Sequence, residues 1–173
     1  QRFRPNSNEG QVLQKAREHF EATLIGVQGE LAGSVAAMEH RRSDDALNYG
    51  EIFLRDNVPV MIYLMLEGRF AIVKQFLSVS LQLQSTNVQT RGVFPTSFVE
   101  EEGELVADYG QRSIGRITSV DASLWWPILC WIYVKRSGDF DFGRSPEVQR
   151  GLQLLLDLVL HPSFEGTPVL FVP

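Results

Sequence analysis

Arg55 and Asp56 are adjacent opposite charges that lead straight into an almost uncharged run, Val58 to Leu66. Asp121 stands in the same relation to a second apolar run, within Ser119-Val120-Asp121-Ala122-Ser123-Leu124-Trp125-Trp126-Pro127. Carboxylates accept hydrogen bonds from hydroxyl groups, and a guanidinium donates several in a fixed fork. Two acids and an arginine set alike before two buried helices would share one rim. Helix N-termini gathered there add partial positive charge, which suits carboxylates and hydroxyl-rich ligands such as sugars. Proton transfer by Asp56 and Asp121 is open in principle. The adjacent Arg55 would favour an ionised Asp56, which better suits a base or a binder than an acid.

The elements that would position these residues follow from local chemistry. Asp56 or Asn57 reads as an N-cap, Pro59 suits the first turn, and Gly68 closes the helix. Val58–Leu66 is apolar all round, which predicts burial on all sides. Phe70, Val73, Phe76, Leu77 and Leu81 then form a one-sided stripe, which predicts a half-wet outer helix. The design repeats. Ala122–Val134, with Trp125, Trp126 and Trp131, is again apolar all round, with Pro127 near its first turns and Ser137-Gly138-Asp139 at its end. Ser145-Pro146-Glu147 starts an amphipathic helix by N-cap, proline and acidic first turn. Its stripe is Val148, Leu152, Leu155, Leu156 and Val159, and His161-Pro162 stops it. Pairs of buried-then-amphipathic helices predict an all-α fold of the α/α toroid type. An ordinary helical bundle or solenoid, in which the acids only cap helices, fits the same pattern.

Earlier in the chain, Asn8 and Gln11 read as a capping box that opens a helix from about Glu9 to Ile25. Residues 26–47 read as a loop, or as a loop with a short helix near Leu31–Met38. Ser85–Arg91 is a polar loop. Residues 92–109 predict a β-hairpin whose acidic tip, Glu100 to Glu104, is a solvated turn rather than a metal site. Gly110 to Ile117 is a loop that carries Gln111.

The chain has 173 residues, 44% of them apolar and 21% charged, which predicts one soluble domain with a real core. A net charge of −5 without a basic stripe argues against nucleic acid or an anionic membrane as partner. Cys130 is the sole cysteine, which removes disulfide frameworks and cysteine metal clusters and predicts a small buried hydrophobe. A cytoplasmic location is expected from these features. The first residue is Gln1, and the apolar tail Thr167 to Pro173 stops abruptly, so a segment of a longer polypeptide is expected.

Several strings carry a more specific resemblance: Ala46-Leu47-Asn48-Tyr49, Phe53-Leu54-Arg55-Asp56-Asn57-Val58-Pro59, Leu105-Val106-Ala107-Asp108-Tyr109-Gly110, Ile114-Gly115-Arg116, Ser119-Val120-Asp121 and Pro146-Glu147-Val148-Gln149-Arg150-Gly151. In that order they resemble the alkaline/neutral invertases of cyanobacteria and plants, from about Leu13 to Pro173. The resemblance implies a six-helix-pair α/α barrel with a β-hairpin insertion, of which residues 1–173 are the N-terminal part and supply about half. It implies hydrolysis of sucrose to glucose and fructose in the cytosol at neutral to alkaline pH, by a homo-oligomer that needs no metal or other cofactor. Tyr49, Arg55 and Asp56 match the family's pocket motif, and Asp121, Trp125 and Trp126 its second rim motif. Phe94 and Gln111 match segments on the pocket side. Asp56 and Asp121 are then expected to bind sugar hydroxyls, Arg55 to orient a carboxylate, and Tyr49 or a tryptophan to stack on a ring. The family's general acid and its second carboxylate fall beyond Pro173. An inverting glycosidase needs both, typically ~6.5–9.5 Å apart, so catalysis by this segment alone is not expected. Two alternatives remain at this level: a non-catalytic helical interaction module, and another α/α-barrel glycosidase acting on trehalose or oligosaccharides.

Overall fold

Ser7 opens the first helix. Its hydroxyl accepts the Gly10 N–H at 3.1 Å, so Ser7 takes the N-cap role expected of Asn8. The computed structural model describes residues 7–36, 50–88, 90–111 and 120–161. Helix α1 spans Asn8–Thr23 and buries no residue. It is fixed to the body at its C-terminal end, where Phe20 meets Tyr63 edge-on at 5.1 Å and Glu21 pairs with Arg69.

The expected continuation of this helix to Ile25 does not occur. Leu24–Val27 is strand β1, and it pairs antiparallel with β2, Glu30–Ser34. Gln28 and Gly29 both have positive φ, as a two-residue type I′ turn requires. The short helix considered near Leu31–Met38 is therefore a strand as far as Ser34, and residues beyond 36 there lie outside the described segments.

Helix α2, Asn57–Leu66, ends at Gly68, whose φ of +76° permits the left-handed turn that lets the Arg69 N–H reach the Leu64 carbonyl. Helix α3, Phe70–Gln82, is half-wet as expected, with Ala71, Lys74 and Gln82 exposed, and it is also the hub: it packs against β2, α2, α4 and α6, with Val73, Phe76, Leu77 and Val79 fully enclosed. The expected hairpin is present as β4, Ser97–Glu101, and β5, Glu104–Asp108, with Glu102 and Gly103 at the turn. A two-residue strand, β3 (Ile52–Phe53), adds to its edge through β4.

Helix α4 runs Val120–Ser137, with Pro127 inside it. The short α5, Phe140–Arg144, leads to α6, Pro146–Val159, which Ser145 caps as expected by accepting the Val148 N–H at 3.3 Å. The two helices that are apolar all round are not enclosed on all sides. Ile62 and Leu66 of α2, and Leu124, Trp125, Ile128 and Trp131 of α4, are exposed. Among the described residues the architecture is helix-rich with two small antiparallel sheets, one more than expected. Among the described residues no helix is long and apolar enough to cross a membrane.

Candidate functional site

The loop that holds Arg55 and Asp56 is fastened at three points. Upstream, β3 pairs with β4, and the Leu54 N–H donates to the Thr96 carbonyl at 3.0 Å. Downstream, the buried Asn57 amide bridges two elements. Its Oδ1 accepts the Ser34 N–H at 2.8 Å, while its Nδ2 donates to the carbonyls of Ser34 and Phe53, each at 2.9 Å. The hairpin β1–β2 is thereby tied to the first residue of α2.

Asp56 occupies the cap position of α2 without capping it. Its backbone is already helical (φ −70°, ψ −25°), and its carboxylate accepts no N–H of the first turn. The side chain is thereby left to Arg55. The second acid comes from α4, whose first turn is anchored by Ser123: its buried hydroxyl accepts the Phe94 N–H at 3.0 Å.

These anchors bring together the three charged residues singled out in the sequence. Arg55 Nε lies 3.7 Å from Asp56 Oδ1, and one of its terminal nitrogens lies 3.6 Å from Asp121 Oδ1. All three side chains are about half exposed. Both separations are longer than a good hydrogen bond, so the arginine bridges the acids loosely. Exposed pairs of this kind add little stability, ~0–1 kcal/mol each. Two carboxylates around one guanidinium form a patch that can accept and donate hydrogen bonds to a polyhydroxylated molecule. A hollow of about 110 Å³ adjoins it, lined by Asp56, Asn57, Phe53 and residues 34–36.

The other residues singled out divide. Trp125, one turn beyond Asp121 on α4, is partly exposed. Trp126 and Phe94 are buried instead, stacked on each other at 4.8 Å, with the indole N–H donating to the Leu77 carbonyl at 3.1 Å. They lie under the rim and present no open ring face. Gln111 is exposed beyond β5, its backbone N–H held by Asp108 Oδ1 at 2.8 Å. Tyr49 lies outside the described residues. Sequence reasoning missed Ser34 and the bridging role of Asn57. The legible signal was an amide, rather than a hydrocarbon, at the head of an apolar helix.

Titration is perturbed away from the rim. Burial pushes the Cys130 thiol up to about 11. Burial, then the hydrogen bond to Asp139, pushes Tyr133 up to about 12. Asp139 itself is held below the usual carboxylate range by Lys74 first, then by the Phe142 N–H and the Tyr133 hydroxyl.

Comparison with known proteins gives the family. The family model described as alkaline and neutral invertase matches residues 16–173. Alkaline/neutral invertase CINV2 of Arabidopsis thaliana is 35% identical over 92% of this chain and 30% of its own length. Neutral/alkaline invertase 1, mitochondrial, of Oryza sativa subsp. japonica is 35% identical over 87% of the chain and 27% of its own length. Alkaline/neutral invertase E, chloroplastic, of Arabidopsis thaliana is 35% identical over 93% and 29%. The chain thus spans about 30% of the length of these relatives. The cytoplasmic location expected from composition does not stand, because relatives of equal similarity are named for mitochondria and chloroplasts. The match across nearly all of its length places the chain in the alkaline and neutral invertase family.

Proposed function

We propose that this chain forms part of the sugar-binding rim of an invertase that hydrolyses sucrose to glucose and fructose. The observation that carries the reading is the convergence of Asp56, Arg55 and Asp121 from two different helix starts. A bare scaffold has no need of three charged groups gathered at one open edge. In this reading Asp56 and Asp121 accept hydrogen bonds from sugar hydroxyls, and Arg55 keeps both carboxylates in place. Trp125 supplies a ring face beside them, while Trp126 and Phe94 support the rim from beneath. Tyr49 and Gln111 complete the rim as the family resemblance implies. The proton-transferring carboxylates lie outside this segment, which forms the N-terminal part of a single α/α-barrel domain in a homo-oligomer. The exposed apolar face of α4 supports the barrel, in which such a face packs against further helices.

The test is sucrose binding and hydrolysis by the parent enzyme carrying Asp56→Asn, Asp121→Asn or Arg55→Ala. Each loses a charge-assisted hydrogen bond, so sucrose affinity is expected to fall about tenfold or more along with activity. Unchanged affinity in all three variants would remove the rim from the binding site.

A further inference from the structure

We propose that the cleft between α3 and the α5–α6 pair is a second small-molecule site, for a neutral, hydroxyl-bearing ring of monosaccharide to disaccharide size. The cleft has a volume of about 600 Å³ and shares no residue with the rim. Sites for small ligands fall in this size range and combine apolar walls with a few fixed polar groups.

The fixed polar group is Gln84, which is 8% exposed. Its Nε2 donates to the carbonyls of Gly92 and Gly151, each at 2.9 Å. Two carbonyl partners on one end of the amide leave no choice of flip. Oε1 is therefore the end left over, on a residue that lines the cleft, and no described residue donates to it. That oxygen is reachable from the cleft, and a ligand hydroxyl would donate to it in place of water. Gly151 keeps that acceptor reachable: a Cβ there would fall 2.4 Å from Leu81 Cδ1 and 3.1 Å from Gln84 Oε1.

The remaining lining selects the chemistry. Leu81, Leu154 and Phe142 offer apolar surface, and Phe142 is braced edge-on by Tyr133 at 5.5 Å. Ser78 and Ser145 add hydroxyls along the cleft. Charge does not favour an anion. Lys74 is committed to Asp139 at 2.7 Å, Glu147 and Arg150 both line the cleft with opposite charges, and the Val148 N–H of α6 is taken by Ser145. A ring with hydroxyls on its edge and C–H bonds on its face meets both kinds of wall.

The test is a titration of the whole chain with glucose, fructose, sucrose and glucose 6-phosphate, followed by NMR at the methyl groups of Leu81, Val148 and Leu154. Saturable shifts from a neutral sugar are expected there. Ser78→Leu, at a part-buried position, should weaken them about tenfold or more and leave a response at the Trp125 indole N–H unaltered. Leu154→Trp, which fills the cleft from the other wall, should act likewise. Absence of methyl shifts up to about 100 mM sugar, or shifts indifferent to both variants, would overturn the proposal. Binding of glucose 6-phosphate alone would overturn the neutral class. Arg55→Ala separates this site from the rim: it should abolish the Trp125 response and spare the methyl shifts, so either site can fail by itself.

Discussion

Replacing Asn57 by alanine tests whether the rim is held by one buried amide. The substitution removes three hydrogen bonds, of 2.8, 2.9 and 2.9 Å, and strands one N–H and two carbonyls in part-buried surroundings. At about 1 kcal/mol net for each bond, the loss is about 3 kcal/mol. For a chain of this size that lowers Tm by roughly 6–12 °C. Asn57→Asp sharpens the test because it keeps the shape. One oxygen still accepts the Ser34 N–H, but the other now faces two carbonyl oxygens. Burial and those oxygens disfavour the charged form, so the introduced carboxyl titrates above its unfolded value. Its native state then binds the proton more tightly than the unfolded state does. Stability of this variant should fall as pH rises above about 4 and be lowest at neutral pH. Urea denaturation at two pH values reads both effects, and amide exchange at Ser34 reads the lost bond locally. An unfolding free energy for Asn57→Ala within about 1 kcal/mol of the parent, or Asn57→Asp equally stable at pH 4 and 7, would refute the bridge.

Three further outcomes are expected. Gly92 has φ +97°, and a Cβ there would fall 2.4 Å from the Leu154 carbonyl oxygen, so Gly92→Ala should cost about 2 kcal/mol or more in urea denaturation. Cys130 is buried with its thiol pushed up to about 11, so native protein at pH 8 should react with iodoacetamide far more slowly than urea-unfolded protein; equal rates would count against its place in the core. Asp139 is depressed chiefly by Lys74, so its contribution is present above the ordinary carboxylate range and is lost as pH falls through its folded value. Asp139→Asn should therefore narrow its stability gap to the parent on acidification, whereas a gap independent of pH would refute the assignment.

What the sequence disclosed was mostly local. Pro146 after Ser145, Gly68 after an apolar run, and the acidic tip between two apolar triplets each dictate their backbone through a few neighbouring atoms. Arg55, Asp56 and Asp121 could be grouped because the same local pattern occurs twice. The hairpin β1–β2 was hidden because Leu24 continues the helical spacing of Phe20, and because Gln28 at its turn is not one of the residues that usually signal positive φ. The burial of Trp126 and Phe94 was hidden for another reason. A helix apolar all round does not state which side meets a neighbour, and that side was chosen by α3, which offers the Leu77 carbonyl to the indole. Strand β3 is two residues long, too short for any periodicity, yet it fixes the loop that carries Arg55.

The three tryptophans of α4 also make the chain an optical instrument. Trp126 is 1% exposed, Trp125 36% and Trp131 63%, all on one helix within seven positions. Their emission should separate into a blue component from the enclosed indole and a red one from the two that meet water. A soluble quencher should extinguish the red part first. Whatever covers the outer face of α4 would shift that part alone, and loss of the α3–α4 contact would shift the other. Ultraviolet light thus distinguishes assembly from unfolding in this protein without any label.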